Sequence, residues 1–240
     1  MFRSTAHTVA LRIESQTPLS GFLTVAAILG VGLALASFHA FGTATVPLTV
    51  FTATVMVAAY GLMHSYVHPA LGLCNVVTLL RAAMVAFLAG ALVIPAVSAW
   101  LVFGVALGAF ALDGVDGWLA RRAGLVSDFG ARFDMETDAG LGAVIAVYLL
   151  ISGTTGPEIL VLGFARYAFV VASFVWPALA APLPETFRRK AICVVQIAAL
   201  ILLIFPLTLP VLAAPVAVLA ALLLGWSFLI DILWLTRRAA

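Results

Sequence analysis

The chain carries twelve basic and ten acidic side chains, and nine of these 22 charges lie between Asp113 and Asp138. Six of the nine are acids: Asp113, Asp116, Asp128, Asp134, Glu136 and Asp138. Asp113 and Asp116 are three apart and share a helical face with Ala120, with Gly117 beside them. Asp134 and Asp138 are four apart, on one stripe with Gly130. An acid at the centre of a membrane helix costs about 2.5–3.5 kcal/mol, so four together need a compensating partner. No His or Cys lies on this face, which disfavours zinc. An all-oxygen donor set suits Mg²⁺, Mn²⁺ or Ca²⁺. Two such ions about 3.5–4 Å apart serve in-line displacement at phosphorus. The small residues Gly117, Ala120 and Gly130 leave room for a ligand, and Arg121 is placed to meet an anion.

The rest of the chain must hold these acids in a bilayer. Of its 240 residues 65% are hydrophobic and 9% charged, against roughly 25% charged in a soluble domain. A soluble globule and a disordered chain are both excluded. The apolar stretches are continuous rather than alternating, which argues against a β-barrel. The reading is an all-α polytopic membrane bundle of about eight spans, since each needs about 20 apolar residues. They are expected at Leu19–Phe41, Pro47–Met63, Cys74–Ile94, Val97–Arg122, Asp128–Ile151, Pro157–Trp176, Arg189–Phe205 and Val211–Leu235. The first is too long for a signal-peptide core of about 7–15 residues and is read as retained. Gly42, Pro69, Pro95, Gly124, Gly153, Pro177, Pro182, Pro184, Pro206 and Pro210 mark the breaks.

Gly124 can end the fourth span and Ser127 can cap the fifth, so the two are antiparallel neighbours. At about 1.5 Å per residue, Asp116 and Asp134 both lie about 9 Å below the helix ends. Asp113 and Asp138 both lie roughly 14–15 Å down. The four carboxylates therefore match pairwise in depth. Eleven of the twelve basic residues fall at or near one face: Arg3, Arg12, Arg81, Arg121, Arg122, Arg132, Arg188, Arg189, Lys190, Arg237 and Arg238. The positive-inside rule makes that face cytoplasmic, with both termini on it.

The residues Asp113-x2-Asp116-Gly117-x2-Ala120-Arg121-x8-Gly130-x3-Asp134-x3-Asp138 resemble the signature of the CDP-alcohol phosphatidyltransferase family. Asn75-x2-Thr78-x2-Arg81 is similar to the family's segment at the start of its first core helix. The resemblance implies a six-helix catalytic core over residues 73–240 and an accessory pair of helices over 1–72. It implies an enzyme that moves a phosphoalcohol from a CDP-linked donor to a hydroxyl and releases CMP. Asp113, Asp116 and Asp134 would hold two divalent ions, Mg²⁺ or Mn²⁺. Asp138 would share a metal and act as general base. Gly117, Ala120, Arg121 and Gly130 would surround the CDP part, with Asn75 and Thr78 nearby. Homodimerisation is expected from the resemblance alone.

The expectation is an enzyme of a bacterial-type inner membrane, its site facing the cytoplasm. It would transfer a phosphatidyl group from CDP-diacylglycerol to a small alcohol or alcohol phosphate. The alternatives are transfer of a phosphoalcohol from a CDP-alcohol to diacylglycerol, and a divalent-cation carrier or channel. No nucleic-acid partner is expected. Arg188, Arg189 and Lys190, near Gln196, read either as an acceptor-phosphate pocket or as ordinary anchoring. Arg166 lies midway along its span. It either contacts the acceptor or pairs with an acid such as Asp138 or Asp231. Asp128 reads as a helix cap and Glu136 as structural. His64 and His68 are four apart but lack an accompanying acid. Gly104 and Gly108 read as close helix packing, Trp100, Trp176 and Trp234 as interfacial anchors, and Cys74 and Cys193 as small apolar residues.

Overall fold

The computed structural model describes residues 12–13, 17–94, 97–181 and 187–239. Arg3, Pro95, Pro182 and Pro184 lie outside them, as do the side chains of Arg12, Arg189, Lys190 and Arg238. Eight α-helices run through the described residues: α1 Pro18–Phe41, α2 Thr45–Ser65, α3 Leu73–Ala91, α4 Ala99–Ala123, α5 Asp128–Ile151, α6 Ile159–Val175, α7 Phe187–Ile204 and α8 Pro210–Ala239. A short 3₁₀ turn, Pro177–Ala180, follows α6. A two-residue antiparallel ladder pairs Arg12 with Gly72 and Ile13 with Leu71. The chain is an all-α polytopic membrane protein.

Five of the eight helices, α1 to α4 and α8, are long and apolar enough to cross a membrane on those grounds alone. The other three fall short for physical reasons. Helix α5 carries the acids of the charged segment. Helix α6 has 17 residues, and the apolar part of α7 is limited to Ala191–Ile204.

The chain divides into two compact units, Met1–Asp138 and Ala139–Ala240. In the first, α3 is the central helix. Within its apolar window 72% is buried, against 22% for α1, α2 and α4, so α3 is interior and the others show faces outward. Small residues make this possible: Ala82, Ala83, Ala86, Ala89 and Gly90 lie on the buried surface of α3 and let neighbours approach. A Cβ on Gly90 would lie 2.8 Å from both Phe41 and Pro47, so the turn between α1 and α2 seats directly on it. Helix α1 starts at a capping box, with the Ser20 N–H donating to Thr17 Oγ1 at 3.2 Å and the Thr17 N–H to Ser20 Oγ at 3.2 Å.

The N-terminal pair also braces the first turns of α5. Phe22 of α1 is fully buried and meets Phe129 and Phe133 edge-on, with centroids 6.4 and 6.1 Å away. Phe129 in turn stacks on Phe133 at 5.7 Å and receives Tyr66 edge-on at 5.8 Å. Gly61 of α2 packs on the Phe129 ring, where a Cβ would lie 3.5 Å away. Phe133 neighbours Asp134, so this aromatic cluster backs the helix that carries two of the site acids. Phe22→Ala should therefore lower stability by about 3 kcal/mol, the low end for truncating a buried Phe. A detergent-solubilised thermal melt checks this, and an unchanged transition would show that the cluster does not brace α5.

In the second unit Gly163 of α6 packs against Ala143 and Ala146 of α5. Gln196 of α7 donates to the Leu162 carbonyl of α6. Arg188 at the start of α7 donates to Ser227 Oγ and to Asp231 of α8, both at 2.5 Å.

Candidate active site

The acids are set by a helical hairpin. Helix α4 ends where Gly124 takes a left-handed conformation with φ 64°, one that costs a glycine little. The Gly124 and Leu125 N–H groups bond back to Arg121 O at 3.4 Å and Ala120 O at 3.0 Å, closing the last turn. Ser127 then caps α5: its Oγ accepts the Gly130 N–H at 3.1 Å. The cap expected at Ser127 is thus formed, and Asp128 stands inside the first turn rather than serving as the cap. The connection is only four residues, 124–127, so α4 and α5 are consecutive antiparallel neighbours, as the spacing implies.

The carboxylates of Asp113, Asp116, Asp134 and Asp138 all converge on one side chain, Arg81 of α3. Its Nη1 donates to Asp116 Oδ2 at 2.7 Å and to Asp134 Oδ1. Its Nη2 donates to Asp138 Oδ1 and forms an ion pair with Asp113 Oδ1 at 2.9 Å. Nε donates to the Ala109 carbonyl at 3.1 Å. Each terminal nitrogen therefore bridges one of the pairs expected from depth, Asp116 with Asp134 and Asp113 with Asp138. The planar fork of arginine suits such multiple carboxylate contact; a lysine would offer only a point charge.

Arg81 counts by sequence among the basic residues of one face, and the structure gives it a second role. It is 1% exposed and sits among the acids. Two signals in the sequence pointed to it. The acids needed a compensating partner, and Asn75, Thr78 and Arg81 recur every three residues on one face of α3.

Burial grades the four acids. Asp116 is buried, with its side chain 4% exposed, while Asp113, Asp134 and Asp138 are 29%, 37% and 22% exposed. Both oxygens of Asp116 are used: Oδ2 takes Arg81 and lies 3.0 Å from the Thr78 hydroxyl, and Oδ1 accepts the Gly117 N–H at 2.7 Å. Thr78 also lies 3.0 Å from the Cys74 carbonyl. Its hydroxyl thus ties α3 to Asp116. Asn75 is 2% exposed, and its Nδ2 has no hydrogen-bond partner among the described residues. Its Oδ1 lies 3.4 Å from where a Cβ on Gly130 would stand, so Asn75 and Gly130 meet closely. The Arg121 guanidinium folds back over Gly117, 3.3 Å from the corresponding Cβ position. Ala120 packs beside Cys74 and Leu125. All six residues expected around the CDP part belong to the same unit as the acids.

The family model of CDP-alcohol phosphatidyltransferases matches residues 71–230, about two thirds of the chain, and the whole hairpin lies within the match. The chain belongs to the CDP-alcohol phosphatidyltransferase family. No curated protein and no solved structure matches it. It is thus a membrane transferase of the kind that moves a phosphatidyl or phosphoalcohol group from a CDP-linked donor. Helices α1 and α2 precede the matched residues.

The family depends on divalent metal, and the residues of this phosphatidyltransferase fit one. Asp113, Asp116 and Asp134 each offer an oxygen, and these atoms all lie within 4.8 Å of one another. The donor set is all-oxygen, as Mg²⁺ and Mn²⁺ require. The four carboxylates face a single guanidinium, so three negative charges are left over and call for further cations. Asp138 stands outside the three-acid group and joins it through Arg81.

Other candidates resolve differently. His64 and His68 each meet a backbone carbonyl, Tyr60 O at 2.8 Å and Val126 O at 3.0 Å, and do not converge. Of the acids considered for Arg166, Asp138 contacts Arg81 and Asp231 contacts Arg188, and Arg166 itself is engaged within the protein. The Arg188 contact also removes that residue from the open basic run, because its guanidinium is neutralised within its own unit. Gly108 packs on Met84, where a Cβ would lie 2.8 Å away, but Gly104 has open space beside it. Among the described residues, only the Gly108 half of that motif makes close helix contact. Trp100 and Trp176 are exposed, as anchors would be. Cys74 is buried and Cys193 exposed, and neither forms a disulfide among the described residues.

Proposed function

We propose that this phosphatidyltransferase transfers a phosphatidyl group from CDP-diacylglycerol to a small alcohol or alcohol phosphate and releases CMP. The observation that carries the reading is the carboxylate cage. Three acids from two antiparallel helices present oxygens within 4.8 Å of one another, inside a matched transferase core.

Asp113, Asp116 and Asp134 would hold two divalent ions, with Asp138 at the edge. Such ions supply charge neutralisation at the diphosphate and make CMP a better leaving group. The chain's own residues do the rest. Arg81 and Thr78 fix Asp116, the deepest acid. Asp138 takes the proton from the attacking hydroxyl through the oxygen that Arg81 does not use. Asn75, Gly130, Gly117, Ala120 and Arg121 line the CDP side. Asn75 Nδ2 supports this, since a buried amide donor without a partner is costly unless a ligand accepts from it. Arg166, Arg189 and Lys190 are assigned to the acceptor, whose negative charge they would meet. The acids lie towards the end of the hairpin that carries the α4–α5 connection, the face flanked by Arg121, Arg122 and Arg132. We assign that face to the cytoplasm by the positive-inside rule, with both termini on it and the protein in a bacterial-type inner membrane. The N-terminal helices are assigned an accessory role and the working unit a homodimer.

The test is CMP release by the purified protein with Mn²⁺ or Mg²⁺. CDP-diacylglycerol is offered against a panel of alcohols and alcohol phosphates. Release with one of these acceptors is expected. Release only from a water-soluble CDP-alcohol, with diacylglycerol as acceptor, would reverse the donor and acceptor assignment. Cation flux in proteoliposomes with no CMP release under either arrangement would overturn transfer altogether.

A further inference from the structure

We propose that Arg81 makes the loading of divalent ions depend on the CDP-linked substrate; the proposal rests on the metal-assisted reading above. Arg81 touches one oxygen of each of the four acids, and its third nitrogen is tied to the Ala109 carbonyl. It is 1% exposed and lies on the most buried helix of its unit, so its positive charge is a permanent part of the cage.

That charge changes the electrostatic balance. Four carboxylates alone would balance two divalent ions, and the cage could fill without substrate. With Arg81 present, two divalent ions leave one positive charge in excess in a partly desolvated site. Such an excess is unfavourable until an anion arrives. A diphosphate supplies the anion. A second, independent group points the same way. Asn75, two turns before Arg81 on α3 and beside Gly130, holds a buried amide donor with no partner among the described residues. Ion and diphosphate then favour each other, and by linkage the coupling has the same size measured from either side. The consequence is ordered assembly: full ion occupancy coincides with the arrival of the donor.

The experiment is Mn²⁺ binding to the full-length protein in detergent, followed by electron paramagnetic resonance with and without CDP and corrected for Mn²⁺ held by free CDP. In the wild type, CDP should tighten the weaker Mn²⁺ site by at least about tenfold, within the usual range of coupling between sites. In Arg81→Met both ions should bind without CDP, and the CDP effect should shrink to less than about threefold. Arg81→Lys keeps the charge and should keep most of the coupling, which separates charge from packing. The proposal is overturned if the wild type binds two ions equally well without CDP, or if Arg81→Met retains the wild-type CDP effect. The wild-type arm decides the matter even where Arg81→Met does not fold. Absence of any Mn²⁺ binding, with or without CDP, would overturn the metal-assisted reading itself; loss of the coupling alone would leave that reading standing.

Discussion

Asp138→Asn is expected to slow CMP release by roughly 10²–10⁴-fold, the usual contribution of a positioned general base. CDP-lipid binding should stay within a few-fold of the wild type, and Mn²⁺ should still bind, its weaker site loosened by the lost charge. The argument is geometric. Asp138 Oδ1 is held by Arg81 Nη2, and the side chain is partly exposed. It stands outside the group formed by Asp113, Asp116 and Asp134. Asparagine has the same shape, and its carbonyl oxygen can still accept from Arg81, so the cage is kept. What is lost is the second anionic oxygen, the one free to take a proton. A change in kcat without a matching rise in the donor KM is therefore the signature to measure. Activity within about tenfold of the wild type would assign the base elsewhere. Loss of Mn²⁺ binding along with activity would instead make Asp138 a metal ligand first.

The hairpin that carries these acids was legible because its signals are local. Gly124 and Ser127 sit where a left-handed stop and a serine cap are needed, and carboxylates three and four apart must share helix faces. Depth counted at a fixed rise per residue even paired Asp116 with Asp134 and Asp113 with Asp138. Arg81 was harder to read. It lies 32 residues before the nearest of its acids in the chain, and an arginine near a helix end in a membrane protein ordinarily reports topology. Nothing local separates that role from a buried ion pair. The contact of Arg188 with Asp231, 43 residues apart, was hidden in the same way.

The aromatic brace was hidden for another reason. In a span that is apolar all round, periodicity does not tell the face that packs on protein from the face that meets lipid. Phe22, Phe129 and Phe133 read like any other membrane phenylalanines. Their contact shows that α1 supports the hairpin, a connection that composition could not give. Asn75 and Thr78 drew notice only through resemblance, and the structure separates them. Thr78 is spent on Asp116, whereas Asn75 keeps a donor to offer.

The largest combined effect is expected from Asp116→Ala: loss of measurable Mn²⁺ binding by calorimetry, loss of CMP release, and a lower melting transition. Asp116 is the most buried of the four acids, and every oxygen it has is engaged, by Arg81, Thr78 and the Gly117 N–H. Removing it takes one ligand from the three-acid group. It also leaves Arg81, deep in the protein, without its most shielded counter-charge. Breaking a buried ion pair by deleting one partner costs about 3–5 kcal/mol. The three remaining acids still neutralise Arg81, so the lower end of that range is expected. Asp116→Asn separates the two losses. It preserves the size of the side chain and most of its hydrogen bonds, so the melting transition should recover much of the way. It removes the negative charge, so Mn²⁺ binding should not recover. Unchanged Mn²⁺ affinity in both variants would remove Asp116 from the metal site and with it the dimetal reading. Recovery of Mn²⁺ binding in Asp116→Asn alone would make Asp116 a scaffold for Arg81, with the ions held by Asp113, Asp134 and Asp138.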